Sequence, residues 1–251
     1  MKILLSNDDG YSAIGIKALN AALSEIADTV VVAPNRNRSG ASSSLTLGNP
    51  IRLQQKSENI YSCSGTPADC IHIARQVLFQ EHKPDLVVCG INMGANLGDD
   101  VIYSGTVAGA IEGNFLGVPA MAISLVNGRT EYFEGAAKIA REIVEKGIPQ
   151  RLAHNQILNV NVPDVAYEDI EGFSITRQGH RHRDNVVITS QDPRGQTIYW
   201  LGPPQAGKSS VNRSDFEAIE AKRVSMTPLT VDLTAHEAES DLTDALGDLR
   251  L

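Results

Sequence analysis

No run of lysine and arginine occurs anywhere in the chain, and its formal net charge is −8. Proteins that coat nucleic-acid backbones cluster those residues to release counterions, so a nucleic-acid polymer is not an expected partner. Cysteine is also scarce: Cys63, Cys70 and Cys89 are odd in number and lack any CxxC spacing. That excludes a disulfide scaffold as the organising device and makes the cytoplasm the expected compartment. Each cysteine reads as a small buried apolar residue. Long apolar runs are missing too. The stretch after Met1-Lys2 is only Ile3 to Leu5, shorter than the core of a secretory signal, and nothing approaches the ~20 residues of a membrane span. Repeats and low-complexity segments are absent.

What remains is 251 residues with 42% hydrophobic and 21% charged composition, enough for one large α/β domain or a core with an appendage. Over the first two thirds, short apolar runs alternate with helical periodicity. Lys2 to Leu5 predicts a strand ending at Ser6-Asn7-Asp8-Asp9-Gly10. Ile16, Leu19, Leu23 and Ile26 lie on one face of a helix over 16–26. Thr29 to Ala33 predicts a strand stopped by Pro34, followed by a polar loop over 35–48 and a hairpin over 51–63. Thr66-Pro67-Ala68-Asp69 opens a helix with a capping box and proline at its first position. Leu86 to Cys89 is a fully apolar strand, and Gly90 to Asp100 is a Gly/Asn-rich loop. A helix follows to Gly117, a strand over 119–125, a helix over 136–144 and a strand over 157–162. This βαβ rhythm predicts a doubly wound, mostly parallel sheet. It breaks after Pro163, so the expected division is a core over 1–163 and a β-rich extension over 164–251 carrying oligomer contacts. A single continuous domain is the alternative.

In doubly wound folds, ligands bind beyond the carboxyl ends of the strands, where strand order reverses. Asp8 and Asp9 lie there, before a glycine that permits a tight turn. Adjacent carboxylates resist joint ionisation unless a cation neutralises them, and Mg²⁺ or Mn²⁺ prefers such oxygen ligands. The competing reading is a solvated Asn-Asp-Asp-Gly turn. Ser39 and Asn92 lie in loops leaving two further strand ends and should rise on the same rim. The alternative for each is a polar loop residue satisfying nearby backbone. Tyr103-Ser104-Gly105-Thr106-Val107 opens a helix, where hydroxyls and first-turn amides suit a phosphate. N-capping by Ser104 competes with that reading.

Other features compete with these. Gly202 to Ser209 matches GxxxxGK[ST], ending on Lys208, but Pro203 and Pro204 each remove an amide a phosphate loop needs. A haloacid-dehalogenase-type phosphatase separates its two aspartates by one residue, whereas here they are adjacent. A metal-stabilised binding protein would share the same residues without turnover. His180, Arg181, His182 and Arg183 form a basic cluster, read as a solvated loop or intersubunit contact before a substrate contact. Asn37-Arg38-Ser39 and Asn212-Arg213-Ser214 are glycosylation sequons by pattern only. Trp200 reads as interface or core, and Tyr199, Trp200 and Phe216 as exposed aromatics that favour association.

Six short motifs in register resemble the SurE (survival protein E) family: Asn7 to Gly10, Ser39-Gly40, Gly65 to Cys70, Gly90 to Gly98, Tyr103 to Val107 and Ser225 to Leu229. The resemblance covers nearly the whole chain. It implies a Rossmann-like core and one divalent ion per subunit, Mg²⁺ or Mn²⁺, held by Asp8, Asp9, Ser39 and Asn92. It implies phosphomonoesterase activity on nucleoside 5′- and 3′-monophosphates, with short polyphosphate as a side substrate, and a homodimer or homotetramer exchanging C-terminal elements. Asn96, Ser104, Gly105 and Thr106 are then the candidates for holding phosphate. One aspartate, Asp8 before Asp9, either orients the attacking water or attacks directly. Residues 202–214 depart from the family's expected pattern.

Overall fold

The structure is a computed structural model describing residues 1–180, 187–201 and 212–246. Alternate residues of its apolar strands enter two different cores, as the period-two geometry of a strand covered on both faces requires. In β1 (Lys2–Ser6), Ile3 and Leu5 pack on one side and Leu4 on the other. β2 (Asp28–Pro34) and β5 (Leu86–Met93) alternate likewise: Val31, Ala33, Leu86 and Val88 face one core, and Val32, Val87 and Cys89 the other. The first core is closed by α1 (Ile14–Ser24) and α4 (Phe133–Glu145). The second is closed by α2 (Pro67–Val77) and α3 (Gly105–Phe115). All three cysteines are buried and free, and lie in that second core.

Among the described residues the main sheet has nine strands, ordered β3-β4-β2-β1-β5-β6-β7-β11-β8. The remaining members are β3 (Leu53–Ser57), β4 (Ile60–Cys63), β6 (Ala120–Leu125), β7 (Gln156–Val162), β8 (Phe173–Ile175) and β11 (Val224–Thr230). From β4 through β7 every pairing is parallel, while β3 forms an antiparallel edge hairpin with β4. This is the expected Rossmann-like, doubly wound α/β architecture. The chain runs outward from β1 through β2 to β4, then returns and runs the other way from β5. The switch point is therefore between β1 and β5, and Asp8, Asp9 and Asn92 stand beside it.

Three details differ from the sequence reading. β5 does not stop at Cys89. Its register shifts between Cys89 and Asn92, and it then pairs again with β6 through Asn92–Ser124 and Met93–Leu125. Ile91, fully buried, anchors that shifted segment, and Gly90 lies where an added Cβ would sit 2.3 Å from the Ile123 carbonyl oxygen. Periodicity cannot show a strand that resumes after an irregular step. Second, α1 and α4 begin earlier than their apolar periodicity suggests, at Ile14 and Phe133, because neither start has a side-chain cap to mark it. The capping box of α2 is formed as expected, from Thr66 and Asp69.

Third, the sheet does not end at residue 163. β11 pairs antiparallel with β7, and β8 pairs parallel with β11. A short α5 (Asp215–Glu220), capped by Ser214 and Glu217, packs near them, and Phe216 is buried rather than exposed. Beyond the main sheet lie an antiparallel hairpin of β9 (Val187–Gln191) and β10 (Thr197–Leu201) and a terminal α6 (Glu239–Leu246). No helix among the described residues is long and apolar enough to cross a membrane.

Candidate active site

Four segments converge on the two aspartates. Asp8 and Asp9 follow β1 directly, in a turn closed by reciprocal bonds between the Asn7 side chain and Gly10: Asn7 Nδ2 donates to the Gly10 carbonyl at 3.0 Å, and Gly10 N donates to Asn7 Oδ1 at 3.1 Å. Gly10 has φ +107°, a conformation that side-chain-bearing residues resist. The segment after β2 is tied in by Arg38, whose amide donates to the Asp8 carbonyl oxygen at 2.7 Å. This sets Ser39 next to the turn. Ser39 is exposed, and its amide closes a small turn onto Asn37 Oδ1 at 2.7 Å. The end of β5 is tied in by Met93, whose amide donates to Asp9 Oδ2 at 3.1 Å. Asn92 precedes it, partly buried, with Nδ2 donating to the Gly94 carbonyl at 2.8 Å. The start of α3 is tied in by Thr106, whose hydroxyl donates to Asp8 Oδ1.

Asp8 is only 4% exposed, and Asp9 is partly open. Burial pushes the carboxyl of Asp8 above its ordinary range, against hydrogen bonds from Thr106 that favour the charged form. Asp9 is also pushed up by burial. The Met93 amide opposes that shift, and the neighbouring Asp8 charge adds to it. Among the described residues neither forms an ion pair with Lys, Arg or His. Two carboxyls are thus held side by side, one buried and one partly open, without a cationic partner among the described residues. No group of three or more His, Cys, Asp or Glu residues is assembled among the described residues. Carboxylate oxygens are the kind of ligand a hard cation prefers.

The phosphate candidates occupy two different environments. Ser104 caps α3, its hydroxyl accepting from the Val107 amide at 3.1 Å, so the capping role is real. Gly105 lies against Asp8, and Thr106 is fully buried on it. Asn96 is 6% exposed and acts as a hub. Its Nδ2 donates to Ser124 Oγ at 2.7 Å, and its amide donates to Asn161 Oδ1 at 2.8 Å. Its carbonyl accepts from Asn159 at 2.9 Å and Asn161 at 3.0 Å. His180 Nδ1 lies 3.3 Å from Asp99 Oδ1, beside the 3₁₀ turn Gly98–Tyr103 that leads into Ser104. Arg181, His182, Arg183 and the Gly202–Ser209 match with Lys208 lie outside the described residues.

Sequence reasoning missed the groups that hold this frame: Arg38 and Met93 through their backbones, Asn159 and Asn161 on β7, and Asp215 at the start of α5. One signal was available. Asn159-Val160-Asn161 places two amides on the same side of an otherwise apolar buried strand, which is costly unless they are bonded.

The acid pair thus stands at the switch point of a Rossmann-like α/β sheet, with Thr106 at the start of α3 bonded to Asp8. The chain belongs to the SurE family: the sequence pattern of Survival protein SurE matches residues 3–185. A protein of Aliivibrio fischeri named 5′-nucleotidase SurE is 53% identical over 247 residues, covering 98% of this chain and 95% of that one. Its namesake in Vibrio parahaemolyticus is 55% identical over 238 residues, covering 95% and 92%. The crystal structure of the SurE protein from Aquifex aeolicus superimposes with a TM-score of 0.89 at 41% identity, covering 99% of this chain and 100% of that one.

Proposed function

We propose that this chain hydrolyses nucleoside 5′- and 3′-monophosphates to nucleoside and phosphate, with short polyphosphate as a side substrate, using one divalent ion per subunit. The observation that carries the reading is the Asp8–Asp9 pair beside the first turn of α3, with Asp8 buried, Asp9 partly open and neither in an ion pair with Lys, Arg or His among the described residues. A dianionic phosphate cannot approach two uncompensated carboxylates, since like charges at such range repel by several kcal/mol in a poorly solvated site. A hard cation bound by Asp8, Asp9, Ser39 and Asn92 reconciles the two. The names of the similar Vibrio-group proteins support the nucleotide substrate.

Bound there, Mg²⁺ or Mn²⁺ supplies Lewis-acid stabilisation of phosphoryl charge and acidifies a water. The protein's own groups do the rest. Gly105 and Thr106 direct first-turn amides of α3 toward the phosphoryl oxygens, with Ser104 and Asn96 framing them. Asp8 is fixed by Thr106 and serves as a rigid ligand. Asp9 is the more open of the two, so it suits the role of aligning the attacking water and taking its proton.

Phosphate release measured across nucleoside monophosphates and polyphosphate, after chelation and with Mg²⁺ or Mn²⁺ restored, tests this. Chelation is expected to lower release at least about tenfold and either ion to restore it. Undiminished release in excess chelator refutes the metal-dependent reading, and no release from any nucleotide refutes the substrate reading.

The cytoplasm and a homodimer or homotetramer complete the proposal. The β9–β10 hairpin supports association. Its strands pair only with each other among the described residues, and a lone two-stranded ribbon is marginal in water. It nevertheless exposes Val187, Ile188, Tyr199, Trp200 and Leu201. Sedimentation is expected to give a dimer or larger at micromolar concentration. A clean monomer overturns this part.

A further inference from the structure

Asp215 is fully buried, yet it is not an ordinary acid at a helix start. A first-turn carboxylate normally faces its own helix's amides. Here one bond, from Phe216 N at 3.0 Å, stays within α5. The others come from distant chain: Gly179 N at 2.9 Å to Oδ1 and Gly98 N at 2.7 Å to Oδ2. The Gly98 carbonyl is held as well, accepting from Gln178 Nε2 at 3.1 Å. Gly98 is therefore gripped on both sides by chain that follows β8. It has φ +52°, and an added Cβ would sit 2.7 Å from the Gly179 carbonyl oxygen and 2.8 Å from the Phe216 ring. The approach is as close as glycine allows.

Gly98 lies halfway along an arc whose two ends both stand on the acid pair. One end is Met93, bonded to Asp9, and the other is Thr106, bonded to Asp8. Asn96, within the arc, is seated on β7 by Asn159 and Asn161. Fixing the middle of so short an arc fixes the spacing of its ends. We propose that Asp215 is a positioning residue for this site: through Gly98 it sets the Asn92 end and the Ser104–Thr106 end in working register. The proposal rests on the functional reading above and assigns the C-terminal segment a role in the site itself. Only a carboxylate serves here, because both oxygens accept from amides. Asparagine would turn an N–H₂ donor toward one of those N–H groups.

The test compares Asp215→Asn with Thr176→Val, which removes hydroxyl bonds of 2.8 Å to Ser225 and 2.7 Å to Thr227 in the same region but touches no part of the arc. Hydrogen exchange is read first and needs no substrate. In Asp215→Asn the amides of 94–101 should exchange at least about tenfold faster, while those of β1 hold their protection. With metal supplied, kcat should fall at least about tenfold and half-activation should need more Mn²⁺. Thr176→Val should lower Tm yet keep kcat within about twofold of the parent. Parental exchange over 94–101 in Asp215→Asn overturns the proposal, as does an equal kcat loss in Thr176→Val at matched Tm. If Asp215→Asn fails to fold, Gln178→Ala decides. Faster exchange at Gly98 together with lower kcat upholds the clasp, and parental values of both overturn it. A parent inactive on every nucleotide sinks the functional reading alone, since exchange still reports whether Asp215 holds the arc.

Discussion

Asp8→Asn is expected to lower nucleotide hydrolysis by about three orders of magnitude while leaving the fold intact, because a carboxylate that anchors the proposed ion supplies several kcal/mol of transition-state stabilisation. Shape is preserved: an asparagine Oδ1 still accepts from the Thr106 hydroxyl, and the amide of Arg38 still finds the backbone carbonyl at residue 8. Charge is what disappears. In the metal-free protein that charge is a burden, since burial pushes the carboxyls of Asp8 and Asp9 above their ordinary range and the Asp8 charge adds to the shift at Asp9. The sign follows directly. A carboxyl with a raised folded-state pKa binds more protons folded than unfolded, so its effect is destabilising once pH rises past the unfolded value. Removing one such group should leave the Tm of chelated protein at neutral pH equal to or above the parent's. Adding Mn²⁺ should raise Tm in the parent and much less in Asp8→Asn, because only a folded site binds the ion. Calorimetry with and without metal, beside phosphate release, reads both signs. Normal turnover in Asp8→Asn would reduce the pair to a turn. A large Tm loss in the chelated variant would mean the carboxylate is structural.

Much of the fold was legible because the strands that matter are short, apolar and punctuated. Pro34 closes β2, Thr66-Pro67 opens α2, and the alternation of Leu86 to Cys89 between two cores leaves little room for a helix. The rule that ligands bind beyond the carboxyl ends of parallel strands made the position of Asp8, Asp9 and Asn92 readable, and the strand order sets them beside the switch point. What could not be read was contact between distant segments. Asp215 follows Ser214 in a pattern that looks like any capped helix start, and nothing in the sequence says that its oxygens reach Gly98 and Gly179. Met93 and Arg38 act through their amides, and every residue type but proline supplies one, so composition carries almost no trace of them. The continuation of β5 past Cys89 and the return of β11 to the main sheet are likewise decisions of pairing, not of local propensity.

Gly105 tests how tightly the helix start and the acid pair must fit. A Cβ at this position would meet the Asp8 Cβ at 2.9 Å and its Oδ2 at 3.0 Å, closer than side chains tolerate. The aspartate cannot simply swing away, because Thr106 holds its other oxygen and Arg38 holds its carbonyl. Backbone strain is not the obstacle, since Gly105 is not among the glycines with positive φ. Helix propensity does not oppose alanine, although Gly105 is the first residue of α3 and gains less than the ~1 kcal/mol of a helix interior. Stability and activity should therefore separate. Gly105→Ala is expected to keep Tm near the parent's while the first turn of α3 and Asp8 move apart by a few tenths of an ångström or more. Misplacement of that order in a preorganised site costs up to about 100-fold in kcat. KM should change less than kcat, because ground-state binding of the phosphate tolerates a shift that the transition state does not. Steady-state kinetics with saturating Mn²⁺ and a thermal melt on the same preparation check the pair of outcomes. A Gly105→Ala enzyme with parental kcat would show that the helix start does not work against Asp8 during turnover, and the phosphate would then have to be held elsewhere on the rim.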